Sequence, residues 1–180
     1  MAATAWIITA RQLPVPAFET VRAAWRPSAA YLVDRHGQVL AAQRIDFGAR
    51  RLQWVPLESI SPALLSALID AEDRRFYEHH GVDLRALPGA LYSQLLRHRA
   101  RGASTLSMQL ATLLEPPARR STRWEDLPRK WRQARLALAL EAHWSKPQIL
   151  EAYLNLVQFR GEVQGIGAAA QVLAGREPAG

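Results

Sequence analysis

"SPALLSALIDAEDRRFYEHHGVD", residues 61–83, joins an apolar helix to a knot of ionisable groups. Ser61 is placed to cap a helix whose first position is Pro62, and Leu64, Leu65, Leu68 and Ile69 share one face at helical spacing. That face needs a core to bury against. Where the apolar run gives out, Glu72 and Asp73 stand side by side, with Arg74, Arg75 and His79 close behind. Two readings are open on this stretch alone. It is a solvated, charged helix end, or Glu72 sits at the edge of a core, where partial desolvation raises a carboxyl pKa and suits it to proton transfer. His79 and His80 are adjacent and point different ways on any regular element. With no His-x-x-x-His spacing beside them, they support metal ligation only weakly.

Outward from this helix the chain reads as mainly α with a small N-terminal β-hairpin. Upstream, the apolar runs of "AAYLVDRHGQVLAAQRI" flank Asp34-Arg35-His36-Gly37, a hairpin signal, and "RLQWVPL" suggests a further short strand. Residues 11–29, with Pro14, Pro16 and Pro27, read as a connecting arm. Downstream, Asp83 is placed to cap a segment in which Leu84, Leu87, Leu91 and Leu95 recur, Pro88-Gly89 bends or breaks the helix, and Arg97, Arg99 and Arg101 crowd the far end. A core helix with a solvated end and a membrane-surface helix both fit that pattern. Ser104 is expected to cap "STLSMQLATLL". The longest helix, "LPRKWRQARLALALEAHW", starts at Glu125 or Asp126, with Trp131, Ala134 and Leu138 inward. Ser145 caps "KPQILEAYLNLVQF", whose Ile149, Leu150, Tyr153 and Leu154 belong to the core, with Glu151 and Asn155 as polar pins. "QGIGAAAQVLAG" is a small-residue helix that stops at Gly175.

Composition narrows the partners without choosing one. The 180 residues suffice for one domain with a real core, and a 49% hydrophobic content argues against disorder. The net charge of +7 and pI near 10.7 favour a polyanion: nucleic acid, anionic lipid or a phosphorylated substrate. There is no cysteine, which excludes disulfides and thiolate metal sites. No stretch approaches the ~20 apolar residues that span a bilayer. The opening "AATAWIITA" is too short to do so, and reads either as the remnant of a membrane anchor or as an ordinary hydrophobic N-terminus.

Two further stretches carry chemistry. Gly102, Ser104 and Thr105 lead into a helix with Gln109 one turn on; their N–H groups and hydroxyls suit a phosphate or sugar, or simply an N-cap. Arg129, Lys130, Arg132 and Gln133 open the longest helix, where clustered cations either neutralise a diphosphate or form a solvated basic face.

Taken in order, these stretches resemble the family 51 glycosyltransferases, the peptidoglycan glycosyltransferase domain of class A penicillin-binding proteins and their monofunctional relatives. The first family motif, E-D-x-x-F-x-x-H-x-G, is matched by Glu72, Asp73, Phe76, His79 and Gly81. The second, G-x-S-T-[LI]-[ST]-x-Q, is matched by Gly102, Ser104, Thr105, Leu106, Ser107 and Gln109. The third, R-K-x-x-E, keeps Arg129 and Lys130, and the fourth, I-L-E-x-Y-L-N, is matched from Ile149 through Asn155. "SMQ" and "FRGEVQGIGAAA" look most like the penicillin-binding protein 1C branch.

The resemblance implies an N-terminal arm over 1–29, in part a remnant of an anchor, and a lysozyme-like helical glycosyltransferase domain over 30–180 that is incomplete at its C-terminus. It implies polymerisation of lipid II at the outer, periplasmic face of the cytoplasmic membrane. Glu72 would be the general base, supported by Asp73 and Gln133. Phe76, His79, Gly81, Gly102, Ser104, Thr105, Gln109, Arg129, Lys130 and Arg132 would bind substrate. Mg²⁺ or another divalent cation would assist. The partners implied are lipid II, the growing glycan strand, the membrane surface and other cell-wall synthesis proteins, and no nucleic acid. Three positions depart from the family pattern: Gln133 replaces the third-motif glutamate, Thr112 a basic residue and Gly89 an arginine. The fifth motif and a transpeptidase domain are not in this sequence, and with no S-x-x-K motif no β-lactam binding is expected. These departures keep an alternative in view, a weak or inactive truncated member that only binds lipid II or membrane.

Overall fold

A computed structural model describes residues 2–85, 104–115, 126–175 and 178. The leucine- and arginine-rich segment with its Pro88-Gly89 bend, and Gly102, lie outside the described residues. The architecture is mainly α with one small sheet, as expected. Helices α1 (Ala2–Arg11) and α2 (Phe18–Ala24) precede strands β1 (Ala29–Val33) and β2 (Val39–Arg44). The strands are antiparallel, with Ala29 opposite Arg44 and Tyr31 opposite Ala42. The expected turn forms because Asp34 Oδ1 accepts from the N–H groups of His36 and Gln38, both at 2.8 Å. Most of the hairpin is exposed on both faces. It is anchored from its base, where Arg44 makes a two-pronged contact with Glu162 at 2.8 Å.

The proline-bearing stretch expected as a connecting arm is packed down over part of its length. Phe18 is buried edge-on against Trp54 and Trp144, and the Trp144 Nε1–H donates to the Pro16 carbonyl at 3.0 Å. Three aromatic rings meeting edge to face supply large apolar area in a fixed geometry, which a free spacer lacks.

The remaining described helices are α3 (Pro62–Glu72), α4 (Leu106–Leu114), α5 (Asp126–His143), α6 (Lys146–Leu156) and the short α7 (Ile166–Ala169), which continues as a π turn to Ala174 and stops at left-handed Gly175. At the centre lies α6. Ser145 closes a full capping box with Gln148, and every residue from Ile149 to Asn155 is buried. Burying Ile149 and Leu150 contributes about 2 kcal/mol each. The polar residues on α6 are satisfied as pins. Glu151 accepts from Trp54 Nε1 at 2.7 Å and from the Leu57 N–H at 3.0 Å; Asn155 accepts from the Val55 N–H and donates to its carbonyl, both at 2.8 Å. These contacts explain why "RLQWVPL" forms no strand. Its backbone groups bond to side chains of α6, the donor–acceptor pair of one amide serving Val55 where a neighbouring strand would have.

Two local expectations are corrected. Thr105, not Ser104, caps α4: its Oγ1 accepts from the Met108 N–H at 3.1 Å. Trp131 is 59% exposed rather than inward, lying against Trp6 of α1 at 4.5 Å, while Ala134 and Leu138 on the same helix are buried as expected.

Candidate active site

Glu72 is the last residue of α3. It is exposed, which corrects the expectation of a partly desolvated acid. Its carboxylate is nonetheless held. Gln109, one turn into α4, donates from Nε2 to Glu72 Oε2 at 3.0 Å, and the Tyr153 hydroxyl on α6 donates to Gln109 Oε1 at 2.9 Å. Tyr153 is 5% exposed, and burial, aided by the nearby Glu72 charge, pushes its phenol up to about 12.

Behind Glu72 the chain turns into a buried frame. Asp73 places both carboxylate oxygens 3.0 Å from His79 Nε2, and Oδ2 also accepts from the Leu106 N–H at 3.0 Å. One aspartate thus ties the end of α3, the following turn and the start of α4 together. Thr105 donates from Oγ1 to the Gly81 carbonyl at 2.6 Å. Gly81 has φ +91°, and a Cβ there would lie 2.7 Å from the carbonyl carbon and oxygen of Ala137, so only glycine lets this turn touch the backbone of α5. Phe76 is fully buried, with Lys146 Nζ 4.3 Å from its ring centre. The resemblance implies that Phe76, His79, Gly81 and Thr105 contact substrate. The structure buries all four, and there they brace the turn after Glu72.

Two members of this frame escape a reading of motifs. Glu141 of α5 accepts from Ser107 Oγ at 2.5 Å and from Lys146 Nζ at 2.8 Å, and Lys146 also donates to the His79 carbonyl at 2.8 Å. The signal was there: Ala134, Ala137 and Leu138 form a buried stripe on α5, and Glu141 continues it at helical spacing. A carboxylate on a core stripe demands a partner, and Lys146 stands just past the next cap. Tyr153, expected in the core, is there but also reaches the rim through its hydroxyl.

The basic group opens α5. Arg129, Lys130 and Arg132 are exposed and Gln133 is half-buried. Arg132 Nε lies 2.6 Å from Glu115 Oε1 at the end of α4. Six residues of helix separate Glu115 from Gln109, about 9 Å along the axis. Ser104 is half-buried just ahead of the Thr105 cap. Among the described residues no three carboxylates or histidines cluster to hold a divalent cation, Asp73 is bound to His79, and Gln133 is uncharged. A cavity of about 350 Å³ between α1 and residues 75–85, lined by Arg11, Arg75, His80 and Arg85 among others, does not include Glu72.

The arrangement is a solvent-reachable carboxylate with one fixed hydrogen bond, backed by a rigid polar frame. That is what a proton-transferring group needs: access to the substrate, and no freedom to turn away from it. Residues 36–180 match the transglycosylase family. The chain belongs to that family. Among the most similar members are the biosynthetic peptidoglycan transglycosylases of Aeromonas hydrophila, 44% identical over 128 residues (70% of this chain, 52% of the relative), and of Citrobacter koseri, 41% identical over 147 residues (81% and 58%). Penicillin-binding protein 1C of Escherichia coli is 43% identical over 126 residues, covering 69% of this chain and 16% of the relative. Penicillin-binding protein 1A of the same organism is 40% identical, so identity does not single out the 1C branch within the transglycosylase family. The chain spans about half the length of the transglycosylases it matches.

Proposed function

We propose that this transglycosylase chain polymerises lipid II into glycan strands, with Glu72 as the general base. Glu72 takes the proton from the acceptor sugar's 4-hydroxyl as that oxygen attacks C1 of the donor. The new C1–O bond forms as the bond from C1 to the diphosphate breaks, so the anomeric centre inverts and undecaprenyl diphosphate leaves with the electron pair. Arg129, Lys130 and Arg132 offset the diphosphate's charge. The observation that carries the reading is the exposed Glu72 carboxylate fixed by Gln109 above the Asp73–His79 brace. The site would work at the outer face of the cytoplasmic membrane, where the +7 charge favours anionic lipid. Among the described residues no helix is long and apolar enough to cross a membrane.

A second reading, lipid II binding without turnover, is favoured by Gln133 standing where the family pattern has a glutamate. Polymerisation of labelled lipid II separates the two. On the first reading the chain forms glycan, and Glu72→Gln loses turnover by about 10²–10⁴-fold while still binding. Binding without glycan supports the second reading, and a fully active Glu72→Gln refutes the base assignment.

A further inference from the structure

An ionised carboxylate can only accept hydrogen bonds, whereas a glutamine amide has one accepting end and one donating end. Gln109 must therefore turn its NH₂ toward Glu72 when that carboxylate is charged, which leaves Oε1 facing α6. There the Tyr153 hydroxyl donates to it at 2.9 Å. The phenol holds the far end of the amide, and the flipped amide would set its carbonyl against the Glu72 carboxylate and forfeit the phenol's donation to Oε1. We propose that Tyr153 is a positioning residue for Glu72, acting through the Gln109 amide to fix the carboxylate's direction. The inference rests on Glu72 being the base.

Among the described residues, charged groups on the three elements of the relay have partners of their own. On α3 and its following turn, Asp73 is held by His79, Arg75 by Asp83, and Arg74 Nε donates to the Asp70 carbonyl. Within α4, Leu106–Leu114 carries no ionisable side chain. On α6, Glu151 is bound to Trp54 and the Leu57 N–H, and Lys146 to Glu141. Among the described groups of these elements, Gln109 is the one that donates to Glu72, and Tyr153 the one that orients it. The phenol stays neutral, hence a donor, until about pH 12, since burial and the adjacent Glu72 charge both oppose its ionisation.

The test is Tyr153→Phe in the complete chain, which removes one oxygen and keeps the ring. The NMR signals of the Gln109 side-chain NH₂ should move in this variant, since the amide loses the donor to its Oε1. Polymerisation of labelled lipid II should lose about tenfold in kcat with KM unchanged, because the direction of Glu72 is loosened and no substrate contact is removed. Gln109→Met should lose at least as much, and adding Tyr153→Phe to it should then cost nothing further. Unmoved Gln109 signals in Tyr153→Phe, or a double variant that loses the product of the two singles, overturns the proposal. If the Gln109 signals move and kcat does not, the relay stands and the assignment of Glu72 as base fails.

Discussion

Replacing Lys146 by Met should cost far more than its place on a helix's first turn suggests. Lys146 Nζ is 2.8 Å from Glu141 Oε1, whose side chain is 3% exposed, and 2.8 Å from the His79 carbonyl. Without the ammonium, Glu141 is a buried carboxylate left with Ser107 Oγ at 2.5 Å and His79 Nδ1 at 3.9 Å. Stranding such a charge costs about 3–5 kcal/mol. The reverse change, Glu141→Met, strands Lys146 less severely, because its side chain is 19% exposed, the His79 carbonyl still accepts from it and the Phe76 ring still faces it. That loss should be about 2 kcal/mol, allowing for the partial exposure. The double variant buries neither charge, so it should sit well below the sum of the singles, with a coupling of about 2 kcal/mol or more. Urea unfolding of the four chains measures this directly. Amide exchange over residues 73–83 should rise most in Lys146→Met, since the His79 carbonyl loses its anchor. Two singles that each cost under 1 kcal/mol, or that add within 0.5 kcal/mol, would refute the view of this pair as the clamp on the turn behind Glu72.

Gly81→Ala should destabilise by about 3 kcal/mol or more, combining a left-handed backbone at φ +91° with a Cβ 2.7 Å from the Ala137 carbonyl. Thermal unfolding checks it, and a loss below 1 kcal/mol would mean that the turn shifts freely off α5. Acid should loosen the hairpin before the core. Arg44 hydrogen-bonds Glu162 and holds its carboxyl below the ordinary range, and the N–H of Gly48, then Arg51, does the same for Asp46. Folded values below unfolded ones mean that this anchoring is complete above the usual carboxylate range and is lost as pH falls through the depressed values. Amides of Ala29–Arg44 should then exchange faster while those of α6 stay protected; equal protection at low pH would contradict the assignment.

How far the sequence carried these conclusions depended on how local each signal was. The α6 cap was legible because Ser145 and Gln148 are three residues apart, and the hairpin because Asp34 closes its own turn. Asn155 and Glu151 were legible as pins, since a polar residue on a helix that is otherwise core must be paired. What they pin was not, because Val55 and Asn155 are 100 positions apart. The exposure of Trp131 had the same cause: its neighbour Trp6 comes from α1, and no periodicity within α5 announces it. Glu72 meets Gln109 across 37 positions and Gln109 meets Tyr153 across 44. The motifs marked the stretch around Glu72, but spacing along the chain could not show which of its residues are exposed and which are held by their neighbours.

The burial around Glu72 bears on what the motif there is for. Of the five motif residues from Glu72 to Gly81, one is exposed and four are buried, each of the four tied to a different neighbour: Asp73 to α4, Phe76 to Lys146, His79 to Asp73, and Gly81 to Thr105 and α5. On the proposed function Glu72 must stay open to its substrate, and it is exposed. Its direction must therefore be fixed from below. The buried carboxylates Asp73 and Glu141, with the half-buried Lys146, would be poor choices for stability alone, since well-packed apolar residues stabilise as much or more. They are intelligible as fasteners with defined length and angle, which an apolar contact lacks. The cost of burying them is what holds one exposed carboxylate still.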